Sequence, residues 1–240
     1  MEQLNNITST LALTMGAAWA SGINLYAAIL TLGLMGATGN IQLPPGLEIL
    51  TDPMVLMAAG VMYFIEFFAD KVPGVDTAWD GLHTFVRIPA GAMLAAAAVG
   101  DMNPAVELAA ALMGGGLAAA THATKAGSRA LINSSPEPFS NWTASISEDV
   151  AVIVGLWTAL NHPVLFLVLL GLFILAMIWL LPRLWRGLKL VWRKVRGALA
   201  GGAKPPEVQS ATQTAAPEPV VSEQAVSEKT VSGSERHHGA

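Results

Sequence analysis

The sequence predicts an all-α fold: a polytopic membrane helix bundle of about six transmembrane helices, with two polar loops set into it. Three observations predict it. Hydrophobic residues make up 53% of the 240 and charged residues only 12%, whereas a soluble domain carries about a quarter charged. Apolar runs recur six times before Leu181. Lysine and arginine are missing from every second connection between those runs, the pattern of a chain threaded through a bilayer.

The formal net charge of -4 says little about partners, because acids crowd the last forty or so residues while bases gather elsewhere. Nothing in this distribution suggests nucleic acid. The cysteine count is 0, which excludes disulfides, thiolate nucleophiles and Cys-bound metals. The opening residues, Met1 to Asn6, carry no Lys or Arg, so the first run reads as a retained helix rather than a cleaved signal peptide.

The first apolar segment spans about 11–35 and is interrupted by Ser21-Gly22-Ile23-Asn24. Lipid cannot satisfy backbone groups freed at such a break, so neighbouring protein or a cavity must do so. Small residues there would also serve as a packing notch. The second segment is about 53–69, the fourth about 104–123 and the sixth 163–181. The third (88–99) and fifth (150–160) are short. A span needs about 20 residues. These two reach that length only if the preceding polar turns, 79–87 and 142–149, are helical, re-entrant or at membrane depth.

Lys71, Arg87, Lys125, Arg129 and the cluster from Arg183 to Arg196 all fall on one side of this threading. Positive-inside asymmetry places that side in the cytoplasm, with both termini. Residues 1–182 form the transmembrane domain. Residues 183–199 read as a basic amphipathic juxtamembrane helix, because Trp185, Leu188 and Trp192 recur at helical spacing among cations; its partner would be anionic lipid headgroups. A plain stop-transfer anchor is the alternative. Residues 200–240, rich in Pro, Ala, Ser, Glu, Val and Gln, read as a disordered cytoplasmic tail.

Segments two to three and four to five look like weak copies. Each ends an apolar helix in Lys (Lys71, Lys125), turns through proline, continues with Trp (Trp79, Trp142), and adds charge seven or so residues later. Repeats of this kind often frame transport sites. In the first polar loop, Asp76, Asp80, His83 and Arg87 stand at i, i+4, i+7 and i+11, one face of a helix. Glu66 and Asp70 share a face one turn apart. Charges beside lipid-length helices must pair, line water or bind an ion. The second loop is dense in hydroxyls and amides, and Ser145-x-x-Glu148 fits a capping box. Glu148 or Asp149 is expected to pair with Arg87, and Lys125 with an acid of the first loop.

The candidate substrate- or ion-binding residues are therefore Asp70, Lys71, Asp76, Asp80, His83, Arg87, Lys125, Asn141, Glu148 and Asp149, with Ser21, Gly22 and Asn24 at the helix break. Whether the acids hold a metal is left open, and no cofactor is expected. The leading reading is a transporter or channel for a small solute or ion. A non-catalytic factor that organises lipid or partners is the alternative. A membrane-embedded enzyme on lipid or diphosphate comes third: Asp76-x-x-x-Asp80 matches part of an Mg²⁺-binding pattern, but the longer phosphotransferase motif and any nucleophile elbow are missing. Self-association into a homo-oligomer stays open.

The stretches from Ala20 to Tyr26 (ASGINLY), Glu66 to Asp80 (EFFADKVPGVDTAWD) and Asn133 to Trp142 (NSSPEPFSNW) resemble the bacterial membrane proteins grouped as domain-of-unknown-function family 4126. The resemblance covers about 11–181. It implies a bacterial cytoplasmic (inner) membrane location and carries no activity with it.

Overall fold

The computed structural model describes residues 1–72, 74–100, 102–133 and 138–200. The expected tail beyond Ala200 lies outside them, as do Pro136 and Glu137 of the third motif. Among the described residues the regular structure is entirely helical: α1 (Glu2–Ala37), a short 3₁₀ turn (Pro45–Thr51), α2 (Pro53–Ala69), α3 (Val75–Ala98), α4 (Pro104–Ile132), α5 (Pro138–Asn161) and α6 (Pro163–Ala200). The two polar turns are helical, as the length argument required. They form the first halves of α3 and α5.

Helix starts follow local chemistry. Asp52 accepts the Met54 N–H and Asn103 accepts the Ala105 N–H, each just before a proline at the first helical position. Gly74, at φ 88°, turns the chain sharply between α2 and α3. The basic segment 183–199 is not a separate element: it continues α6 through Pro182.

Four helices (α1, α4, α5 and α6) are long and apolar enough to cross a membrane, and a fifth span results if the 3₁₀ turn and α2, bent by 67°, count as one. The sixth expected crossing, α3, has 24 residues but carries Asp76, Asp80 and Arg87 between its start and its middle. Beside an apolar core around α1 the interior holds buried charge, while large apolar side chains cover the outside. Phe64 and Phe68 on α2, Leu165 and Leu172 on α6 and Phe85 on α3 face outward, while Glu66, Arg87 and Arg129 are fully buried. That arrangement suits a lipid solvent.

α1 is the central helix, buried from Ala12 to Gly33 almost without interruption. It breaks at Asn24, whose backbone (φ -146°, ψ 101°) is not helical. Trp19 packs edge-on against Phe166 and Phe173 of α6, ring centres 6.0 Å apart in each case. On its other side α1 meets α3 and α4 through small residues. A Cβ on Gly22 would lie 2.6 Å from the Ala118 carbonyl oxygen, and one on Gly114 would lie 2.2 Å from the Ala95 Cβ. The break is thus both a notch and a kink. Gly116, in the same GGG run, faces open space. Gly22→Val and Gly114→Val should each destabilise the bundle by about 1–3 kcal/mol through overpacking, whereas Gly116→Ala should leave it unchanged or slightly firmer; thermal unfolding in detergent measures all three.

Candidate functional site

Chain reversal brings the end of α2, the start of α3, the end of α4 and the start of α5 to one end of the bundle. Each supplies charge at helical spacing. α2 contributes Glu66 and, at its C-cap, Asp70, one turn apart. α4 answers with Lys125 and Arg129 at the same spacing and opposite sign. α3 adds Asp80 and Arg87, and α5 adds Glu148.

Lys125 is the hub. Its ammonium lies 3.1 Å from Asp70, 3.4 Å from Glu66, 3.5 Å from Glu148 and 3.7 Å from Asp80. Arg87 donates from Nη2 to Glu66 and from Nη1 to Asp80, the latter at 3.1 Å. Arg129 grips Glu148 in a two-pronged contact, Nε to Oε1 at 3.2 Å and Nη2 to Oε2 at 2.8 Å, the planar geometry at which guanidinium excels. Its Nη1 also donates to the carbonyls of Asp70 and Asn141. Four carboxyl groups thus face three cationic side chains, a surplus of one carboxyl group. Six of the seven side chains are at most 3% exposed; Glu148, at 18%, is the one that opens outward.

Two histidines flank the network. His122 Nδ1 faces an Arg87 N–H at 3.1 Å, so it accepts; its Nε2–H donates toward Thr84 Oγ1 and the Asp80 carbonyl. His83 donates from Nδ1 to the Trp79 carbonyl, and its Nε2 shares a hydrogen bond of 3.1 Å with the Tyr26 hydroxyl. It also stacks on the Trp79 ring.

The remaining candidates fall into smaller groups. Asp76 receives the Asn133 amide on both carboxylate oxygens, at 2.8 and 2.7 Å, and Asn133 in turn accepts from Asn141 at 2.7 Å. This chain clasps α3, α4 and α5 together. Lys71 donates to the Phe67 carbonyl and sits over the Phe67 and Trp142 rings. Burial lowers its ammonium below the ordinary lysine value of 10.5. Asp149 takes the Asn24 amide at 2.9 Å and the Tyr63 hydroxyl at 3.1 Å. Asn24 also accepts the Ala27 N–H, so it caps the second half of the broken helix. Ser21 and Gly22 serve packing at the crossing with α3 and α4.

The expected faces and the Lys125 pairing are present: Asp76, Asp80, His83 and Arg87 are all buried together. The expected pairing of Arg87 with Glu148 or Asp149 is not. Arg87 turns instead to Asp80, two turns back on its own helix, and to Glu66 across from it, while Arg129 occupies Glu148. The capping box is also overturned. α5 starts at Pro138, which leaves Ser145 two turns inside the helix and turns Glu148 to Arg129 and Lys125. Glu66 and Arg129 were the omissions from the candidates, and their signal was the matched four-residue spacing of opposite sign. Tyr26 and Tyr63 had none, since each reaches the site from a helix distant in sequence.

Several buried polar atoms lack a protein partner among the described residues: one oxygen each of Glu66, Asp70 and Asp80, Asn141 Oδ1 and Ser145 Oγ. Such atoms suit water, a proton or a small ion. Among the described residues no group of three His, Asp or Glu is placed to hold a metal ion.

Arg87→Met leaves Glu66 and Asp80 to share Lys125 with two other acids and should destabilise the protein by about 3–5 kcal/mol, read as a lowered unfolding midpoint. Lys71 predicts a slope with pH. The unfolded chain holds that proton more tightly than the folded one, so the penalty is present near neutrality and disappears as pH rises toward 10.5. Stability should therefore gain with rising pH in the alkaline range, and Lys71→Met should flatten that gain in unfolding curves taken across it.

No curated protein and no solved structure matches the chain. The family described as Domain of unknown function (DUF4126) matches residues 11–183, a stretch that contains the broken helix, the buried charges and both turns that carry them. The chain belongs to that family.

Proposed function

We propose that this protein moves a small ion or solute across a bacterial inner membrane, with the Lys125-centred network as its selective element. The single observation that carries the reading is the surplus carboxyl group in a buried set of seven ionisable side chains, three of whose acids keep an unpartnered oxygen. Desolvating each ion costs several kcal/mol, which a bundle held together by packing alone could avoid with apolar side chains. Glu148, partly exposed at the edge, supplies an entry.

In this reading both termini are cytoplasmic. Lys71, Arg87, Lys125 and Arg129 are buried and interact internally, so they do not act as loop charges. The orientation rests on the exposed cations of α6, among them Arg183, Arg186, Lys189 and Arg193.

That same surface favours a second reading, a lipid-organising factor. Trp185 and Trp192 are exposed beside those cations, and Arg183 stacks on Trp179 at 3.4 Å.

Reconstitution into liposomes with imposed gradients of protons, alkali cations and small anions separates the two. Wild-type protein should pass one of these solutes, and Glu66→Gln or Lys125→Met should cut the flux at least tenfold, while a chain lacking 201–240 keeps it. Absence of flux for every solute, or flux unaffected by both substitutions, would sink the transport reading.

A further inference from the structure

Among the buried carboxylates Asp149 stands apart. Asp70, Asp80, Glu66 and Glu148 each have a cation within 4.0 Å, and Asp76 is wrapped by amides at the mouth of α3. Asp149 is 7% exposed and has no ion pair among the described residues. Its two oxygens meet neutral donors only: Asn24 Nδ2 at Oδ1 and the Tyr63 hydroxyl at Oδ2. One donor comes from the break in α1 and the other from α2, so the carboxylate sits where three helices meet.

The geometry points to Asp149 as a proton-exchange site, distinct from the ion-pair network and serving the transport reading above as its coupling group. The two donors explain why a proton fits and a bare cation does not. Asn24 and Tyr63 present N–H and O–H hydrogens to the carboxylate, where a metal would meet the wrong end of each dipole. Protonation forms one O–H bond on Oδ2, with the proton drawn from water. The Tyr63 hydroxyl then rotates from donor to acceptor, and Asn24 keeps its bond to Oδ1. Both carboxyl oxygens keep a hydrogen-bond partner in either state, Asn24 at Oδ1 and the Tyr63 oxygen at Oδ2.

The setting gives the site two sides. Tyr63 also lines a groove of about 370 Å³ with Leu30, Leu34 and Trp157, on the side of the far end of α1. On the other side lie the charges that Asp149 feels: Asp70 and Lys71 from the α2–α3 turn, Lys125 from α4, and its neighbour Glu148. Glu66 acts on Tyr63 along α2. α1 brings no charge to this point, only Asn24. Tyr63 therefore stands between an apolar groove and the network, with Asp149 on the network side.

Infrared difference spectroscopy on the full chain in liposomes, stepped in pH, tests this directly. Wild-type protein should show a reversibly titrating carboxylic-acid C=O band set apart in frequency from that of the water-exposed carboxyls, as its buried setting requires. Asp149→Asn, a neutral isostere, should lose that band, and Glu66→Gln should retain it. Tyr63→Phe should move its pH midpoint by about one unit, the effect of one hydrogen bond to a charged acceptor. A missing band in wild-type protein, or a band that survives Asp149→Asn, overturns the proposal. If Asp149→Asn does not fold, Tyr63→Phe decides alone: an unmoved midpoint overturns it. The spectrum needs no flux, so an intact band without transport sinks only the transport reading, and intact transport without the band sinks only this one.

Discussion

The rest of the structure depends on one ammonium group. Lys125 reaches acids from α2, α3 and α5 at once, within 3.1 to 3.7 Å. It carries three hydrogens for four carboxylates, so it cannot satisfy them all. Arg87 and Arg129 make up the shortfall from either side. The result is a layered arrangement in which each cation bridges at least two acids. In a bilayer this has more force than in water. There is little solvent to screen the charges, and hydrophobic burial gives helices little reason to prefer one another to lipid. Polar contacts and close packing must then decide which helices meet.

Close packing is what allows the polar contacts. Gly22, Gly91 and Gly114 let α1, α3 and α4 touch backbone to backbone, and a single methyl at any of them would collide. α2 is held differently. Its Glu66 and Asp70 reach across to Lys125 and Arg87, and its outer face, with Phe64 and Phe68, is bare of protein. The bundle thus has a tight apolar side, made by α1, α3 and α4, and an electrostatically fastened side at the end of α2. The kink at Asn24 belongs to both, because its side chain caps α1 while holding Asp149.

Much of this was legible in the sequence where the signal was local. Helical spacing placed Asp76, Asp80, His83 and Arg87 on one face, and Ser21-Gly22-Ile23-Asn24 marked the break. The demand that 79–87 and 142–149 be helical came from bilayer thickness alone. What escaped was the choice of partner. Arg87 could reach Glu148 as well as Glu66 on charge grounds, and only the relative rotation of α2, α3 and α5 decides between them. The Ser145 motif misled for a related reason: a capping pattern reads the same inside a helix as at its start. Tyr26 and Tyr63 are joined to the site by tertiary geometry, which no short window contains. The six apolar runs correspond to the six helices, while α3 shows that a run's length and its charge can disagree about crossing.

Chain order also sets a schedule for synthesis. Glu66, Asp70, Asp80 and Arg87 emerge early, and Arg87 can pair with Glu66 and Asp80 within the first half of the chain. Asp70 cannot be paired in this way. Its partners, Lys125 and Arg129, arrive more than fifty residues later, on α4. Until then Asp70 has only its neighbour Lys71 as a nearby counter-charge and lacks the ion pairs it makes in the finished bundle. It must wait at the aqueous boundary or beside the insertion machinery, and its retreat into the bundle marks the moment at which the two halves of the protein join.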